Sequence, residues 1–260
     1  MKVGSGFLVF RKACGKGGCP VKGVILAGGT GSRLRPLTNL MNKHLLPVGK
    51  YPMIHYSVMK LKEAGVKEIL LVTGKQSAGL YTEYLGSGSQ WGVSITYAVQ
   101  EQAGGIAEAL GLAERFIGRD KKFVMLLGDN LFQDSLEPFL RDFESQSEGA
   151  MVLLKEVPDP ERYGVPVLTD GRIVHIDEKP ARPKSSYSVT GIYFYDAEVF
   201  HVLKTCRPSK RGELEITDVN NAYALKGRLA YRILSNWWVD AGTHESLYEA
   251  IRQVWKEEEG

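Results

Sequence analysis

Gly28, Gly29 and Gly31, interleaved with Thr30 and Ser32 and followed by Arg33 and Lys43, are the first residues of the 260-residue chain whose types and spacing could do chemistry. Glycines let the backbone turn several N–H groups toward one point, which is how a loop wraps a phosphate. Arg33 and Lys43 add full positive charge to that loop. The second group is acidic. Asp129 follows Leu126-Leu127-Gly128 and Asp240 follows Trp237-Trp238-Val239, so each carboxylate stands where an apolar strand ends. Two such acids can share one ion. Mg2+ suits a site with few carboxylates, because it keeps several waters and takes phosphate oxygens as further ligands. Each residue alone also has a plainer reading: solvated cations at Arg33 and Lys43, and a helix N-cap at Asp129.

Two common phosphate-loop patterns do not fit. A dinucleotide fingerprint needs a third glycine where Leu34 stands and an acid about 20 residues on, and a Walker loop needs lysine directly after its last glycine, where Ser32 stands. Gln100, followed by Gly104 and Gly105 at the start of a helix, sets an amide side chain beside a close backbone approach, a combination suited to the imide edge of a base. A phosphate cradle, a divalent ion and a base reader together suit attack of a phosphate acceptor on the α-phosphorus of a nucleotide. The acceptor is already an anion, so the task is placement and charge neutralisation, with no side-chain nucleophile. In that reaction Arg33 and the ion meet the departing pyrophosphate, and Lys43 can hold the phosphate being attacked.

The order LAGGTGSRLRPLT, NKHLLPV, EKP, GELEITD and WWVDAGT resembles the signature of the sugar-1-phosphate nucleotidylyltransferases, within them the short-form glucose-1-phosphate thymidylyltransferases. The resemblance runs from Lys22 to about Tyr248. It implies a Rossmann-like nucleotidyltransferase fold, dTTP or UTP and glucose 1-phosphate as substrates, Mg2+ held by Asp129 and Asp240, and a homo-oligomer. It also implies a nucleotide site formed by Leu26, Gly28, Gly29, Gly31, Ser32, Arg33, Gln100, Gly105 and Asp129. On the sugar-phosphate side it implies Lys43, Asn130, Tyr163, Gly164, Glu178, Lys179, Val189 and Arg211. Glu178 would contact sugar hydroxyls, Lys179 and Arg211 the phosphate, and Tyr163 and Val189 would line the pocket. Between Gln100 and Gly105 the chain has Glu101 and Gln102 where longer relatives often carry prolines and an acid, and that departure bears on thymine versus uracil.

These residues need a scaffold that brings distant segments together. Val24 to Ala27, Glu68 to Thr73, Val93 to Val99 and Phe123 to Leu127 read as strands, separated by helical patterns at 52–64 and 105–117. That alternation predicts an α/β fold, a doubly wound, mostly parallel sheet with ligands beyond the carboxyl ends of the strands. Leu136, Phe139, Leu140 and Phe143 mark another helix. From Ala150 onward MVLLKEV, RIVHIDEK and YSVTGIYFYD read as strands of an inserted sugar-binding lobe, before a helix at 215–225, a strand at 229–234, and a last helix whose expected buried stripe is Leu247, Ile251 and Trp255.

With 43% hydrophobic and 24% charged residues the composition is that of a globular protein, and a net charge of +3 without a long basic run gives no reason to expect nucleic acid. No apolar run approaches the roughly 18 to 20 residues of a membrane span. Cys14, Cys19 and Cys206 fit neither a zinc site nor a disulfide framework, so free thiols in the cytoplasm are expected. Residues 1–20 read as an N-terminal extension outside a nucleotidyltransferase domain at 21–260, with the authentic start expected at Val21.

Overall fold

The computed structural model describes residues 21–102, 104–118, 121–147, 149–209 and 212–259; the expectations for residues 1–20 and for Arg211 lie outside the described residues. The apolar run after Lys22 becomes strand β1 (Lys22–Ala27). Parallel neighbours lie on both sides of it: β2 (Glu68–Gly74), followed outward by β3 (Ser94–Gln100), and β4 (Phe123–Leu127). Side chains alternate across a strand. Ile25 and Ala27 therefore pack on one face with Ile54, Val58 and Leu61 of helix α1 (Met53–Glu63) and Tyr81 of α2 (Ala78–Leu85). Val24 and Leu26 face the other side, where Leu110 of α3 (Ile106–Gly111) and Ile117 of α4 (Glu114–Ile117) cover them. Each fully buried aliphatic side chain of this kind contributes about 1.5–3 kcal/mol.

The expected helix over 105–117 is thus two helices. Gly111 weakens the helix by about 1 kcal/mol relative to alanine. The chain tightens there through bonds from the Leu112 N–H to the Ala109 carbonyl and from the Ala113 N–H to the Leu110 carbonyl, so that Ala113 is buried and Leu112 is exposed.

The second half continues the same sheet. After the short β5 (Asn130–Phe132) and α5 (Glu137–Ser145) come β6 (Ala150–Glu156), β7 (Gly164–Thr169), β8 (Arg172–Glu178) and β9 (Tyr187–Tyr195). Helices α6 (Val199–Leu203) and α7 (Ile216–Leu225), strands β10 (Leu229–Ile233) and β11 (Trp238–Asp240), and α8 (His244–Glu259) complete the order. Nine strands run β8-β7-β9-β4-β1-β2-β3, with β6 paired to β9 and β10 to β6. The parallel half is β4 to β3, and β9 joins it antiparallel to β4. Strand β7 has no clear mark in the sequence because Pro166 interrupts its pattern; it survives near the sheet edge, where Pro166 lies opposite Ile176.

Asp129 follows β4 as expected. Asp240 instead ends β11, which pairs only with β5 in a separate ribbon that sets Asp240 opposite Asn130. The last helix keeps Leu247 and, partly buried, Ile251 of the expected stripe and adds Ala250 and Val254, whereas Trp255 is 44% exposed with the Lys50 ammonium 5.9 Å from its ring centre. Helical spacing permits both rows, and the smaller Ala250 and Val254 allow the closer approach to Leu34, Met53 and Leu131. Among the described residues no helix is long and apolar enough to cross a membrane.

Candidate active site

A cleft of about 390 Å³ opens where β1 and β4 end. Leu26, Gly28, Gly29, Arg33 and Lys43 line it, while Gly31 and Ser32 belong to the same loop without facing the cavity. Gly28 has no room for a side chain, because a Cβ there would lie 2.9 Å from Gln100 Oε1. Gly31 takes φ +65°, left-handed backbone that turns the chain into the short 3-10 segment Ser32–Leu34. Arg33 then crosses to the other end of the chain, where its guanidinium lies against Gly242, next to Asp240.

Lys43 begins a further 3-10 turn, Lys43–Leu45, whose N-cap is Asn42. Its ammonium forms an ion pair with Asp129 Oδ2, and Asn130 Nδ2 donates to Asp129 Oδ1 at 3.1 Å. The Ala241 N–H donates to the Asp129 carbonyl at 2.8 Å, so the two acidic turns are stitched together. Burial works to raise the Asp129 carboxyl, but the Lys43 charge, with hydrogen bonds from Lys43 and Asn130, outweighs it and holds the group below the usual carboxylate range. Burial and the neighbouring Asp129 charge push Asp240 up to about 6, against the pull of Lys43, Arg33 and Arg162. The two acids are close enough to repel, and one cation has settled on only one of them.

Gln100, 8% exposed, donates from Nε2 to the Gly105 carbonyl at 3.4 Å, which joins the amide to the loop at Gly104 and Gly105. Gly105 is at φ +102°, and a Cβ there would meet the Leu214 carbonyl at 2.7 Å. Bonds from the Leu214 N–H to the Gly104 carbonyl (3.1 Å) and from the Ala107 N–H to the Leu214 carbonyl (3.2 Å) bind this loop to the segment after Gly212.

Tyr163, Gly164, Glu178, Lys179, Val189 and Asn130 also reach the cleft. Glu178 Oε2 accepts from the Thr217 hydroxyl at 2.6 Å, and its Oε1 lies 3.6 Å from Lys179 Nζ. Lys179 is at φ +46°, a left-handed conformation costly for a residue with a Cβ, and its N–H donates to the Tyr163 carbonyl at 2.9 Å. The strand end is thereby bent so that Glu178 and Lys179 both face the cavity. Tyr163 packs edge-on against Trp238 at 5.4 Å, and burial with the Asp240 charge pushes its hydroxyl up to about 12. The Asn130 carboxamide is engaged by the protein: its Oδ1 accepts from the Gly191 N–H and from Trp238 Nε1, both at 2.8 Å.

The structure therefore brings together every expected site residue it describes except Gly31 and Ser32. Sequence reasoning missed His44, Arg162, Tyr193, Thr217 and Asn220, which also line the cleft. His44 and Thr217 stand inside quoted motifs, so their positions could have flagged them. Burial and the Lys43 charge push the His44 ring down to about 3, leaving it neutral. Arg162 precedes Tyr163 and resembles any exposed arginine until its proximity to Asp240 is seen.

A glycine loop, paired acids and a buried amide meet at the strand ends of an α/β sheet, and the sequence profile of the nucleotidyl transferase family matches residues 22–257. The chain belongs to that family. The glucose-1-phosphate thymidylyltransferase of Neisseria meningitidis is 45% identical over 238 residues, covering 90% of this chain and 82% of the relative. That of Xanthomonas campestris is 44% identical, covering 90% of this chain and 80% of the relative. A solved Bacillus anthracis protein, itself only proposed to be a glucose-1-phosphate thymidylyltransferase and bound to a sucrose, superposes with TM-score 0.86 and 55% identity over 90% of this chain and 94% of its own. A UDP-glucose pyrophosphorylase solved with UDP-glucose gives TM-score 0.81 at 26% identity, over 92% of this chain and all of its own.

Proposed function

We propose that the chain transfers a thymidylyl group from dTTP to glucose 1-phosphate, giving dTDP-glucose and pyrophosphate. The observation that carries this reading is the meeting of Lys43, Asp129 and Asp240 beside the glycine loop, in one cleft with Gln100 and the Glu178–Lys179 strand end. An oxygen of the sugar phosphate forms a bond to the α-phosphorus while the bond to the bridging oxygen breaks, and the electron pair leaves with pyrophosphate. The loop backbone and Arg33 receive the triphosphate. Gln100 and Gly105 orient the base, Lys179 and Lys43 hold the sugar phosphate, and Glu178 accepts hydrogen bonds from sugar hydroxyls. None of these groups gives or takes a proton; their work is alignment and charge balance.

The acids fit Mg2+. Burial and the neighbouring Asp129 charge push Asp240 up, and a divalent cation relieves the repulsion between the two. Asp129 and Asp240 would hold the ion, which when bound neutralises phosphate charge.

The likeness to a UDP-glucose pyrophosphorylase supports UTP as a second reading, since Gln100 can meet the imide edge shared by uracil and thymine. A matrix of nucleoside triphosphates against hexose 1-phosphates, followed by pyrophosphate release, decides between them. The highest kcat/KM is expected for dTTP with glucose 1-phosphate; preference for UTP replaces the first reading with the second, and turnover with no pair overturns both.

A further inference from the structure

Asn42 does not line the cleft, yet its carboxamide joins two segments that do. Nδ2 donates to the Gly29 carbonyl at 3.2 Å and lies 3.5 Å from that of Ala27. Oδ1 accepts from the His44 N–H at 3.0 Å, which caps the turn bearing Lys43, and lies 2.7 Å from His44 Nδ1. An amide oxygen can only accept, so Nδ1 carries the hydrogen. The Tyr81 hydroxyl, buried on α2, is within reach of both Asn42 Oδ1 (2.9 Å) and the Ala27 carbonyl (3.2 Å). A planar trans peptide points its C=O and its N–H to opposite sides. Drawing the Gly29 carbonyl back to Asn42 turns the Thr30 N–H the other way, and Thr30 lines the cleft. Next along the loop, the Gly31 carbonyl is held back by the Thr38 hydroxyl at 2.8 Å.

We propose that Asn42 is a positioning residue: it keeps the glycine loop in its phosphate-receiving form and fixes that loop to the turn that carries Lys43, so the backbone cradle and the cation hold one spacing. This rests on reading the loop as the triphosphate site.

Asn42→Asp is the incisive variant, because it keeps the side-chain shape and the capping oxygen while removing the donor to Gly29. Asn42→Ala controls for the added charge. With dTTP and glucose 1-phosphate, kcat/KM for the nucleotide is expected to fall about tenfold to hundredfold in both variants, the cost of a misplaced reacting group. The KM for glucose 1-phosphate should hardly move in Asn42→Asp, which keeps the cap on the Lys43 turn, whereas Asn42→Ala also frees that turn and should raise it. Titration of inorganic pyrophosphate in the presence of Mg2+ should show the same loss and needs no turnover. Tyr81→Phe should give a weaker form of the same split. Unchanged pyrophosphate affinity in folded Asn42→Asp and Asn42→Ala overturns the proposal, and so does equal weakening of both substrates in Asn42→Asp, the mark of general structural support. A wild-type protein that binds pyrophosphate but uses neither dTTP nor UTP sinks the substrate assignment instead and leaves the Asn42 comparison readable.

Discussion

The nucleotide side and the sugar side of the cleft are built differently. Behind the glycine loop the polar groups are buried and held within the protein, although Gly29, Thr30, Ser32 and Arg33 themselves are exposed: His44 is 2% exposed, Asp129 7% and Gln100 8%, and Asn42 and Tyr81 tie the loop carbonyls from behind. On the sugar side the chemistry rests on the Glu178 and Lys179 side chains, 33% and 50% exposed, at the end of a strand far from the parallel core. A buried, hydrogen-bonded backbone site is set before the ligand arrives, whereas exposed charged side chains must be ordered by it. Substitutions on the sugar side should therefore alter glucose 1-phosphate binding, and those near the loop should weaken the nucleotide and slow turnover with it.

The sharpest way to break that comparison is at the acids. Asp129→Asn or Asp240→Asn should lower turnover about a thousandfold or more, the scale of several kcal/mol of lost charge stabilisation, without loss of fold. Assay each purified variant with excess Mg2+ beside its melting curve; rates near wild type for either would remove that residue from the metal site.

Lys179→Ala should weaken glucose 1-phosphate about 10- to 150-fold, since a charged hydrogen bond contributes about 1.5 to 3 kcal/mol and each 1.4 kcal/mol is about tenfold. Nucleotide affinity should be unchanged. Direct titration of each ligand separately avoids reading a commitment effect as binding. Equal losses for both ligands would mean that the two sides are one unit.

A test of the seam between them is Gly105→Ala, where φ is +102° and the Leu214 carbonyl would stand 2.7 Å from the new Cβ. Backbone strain of about 1–3 kcal/mol should appear in the denaturant midpoint. The nucleotide KM should rise more than that for glucose 1-phosphate. Unchanged stability would show that the Leu214 segment yields easily. The smallest effect is expected from a chain beginning at Val21: the family match opens at residue 22, and the melting temperature and both KM values should stay as they are. A fall of several degrees would give residues 1–20 a part in the fold.

Much of this was legible in the residues because it is local. The apolar run before Gly28 can only be a covered strand, glycines at Gly28, Gly29 and Gly31 bend the backbone after it, and an acid following Leu126-Leu127-Gly128 must stand at a strand end. Local spacing was less decisive for Trp255, where two helical rows compete, and for residues 105–117, where Gly111 breaks a pattern that periodicity alone would continue. Partnership was legible only where motif chemistry or the family resemblance supplied it, as for Asp129 with Asp240. The side-chain oxygen of Asn130 is claimed by Gly191 and Trp238, 61 and 108 residues away, and Glu178 is held by Thr217, 39 residues on. The chain by itself determined which residue types stand at which strand ends, since backbone sterics and apolar burial act over a few neighbours. Only the tertiary structure decided that Asp240 comes to rest beside Asp129, because that meeting depends on the register of β5 against β11, and no short stretch of sequence contains both strands.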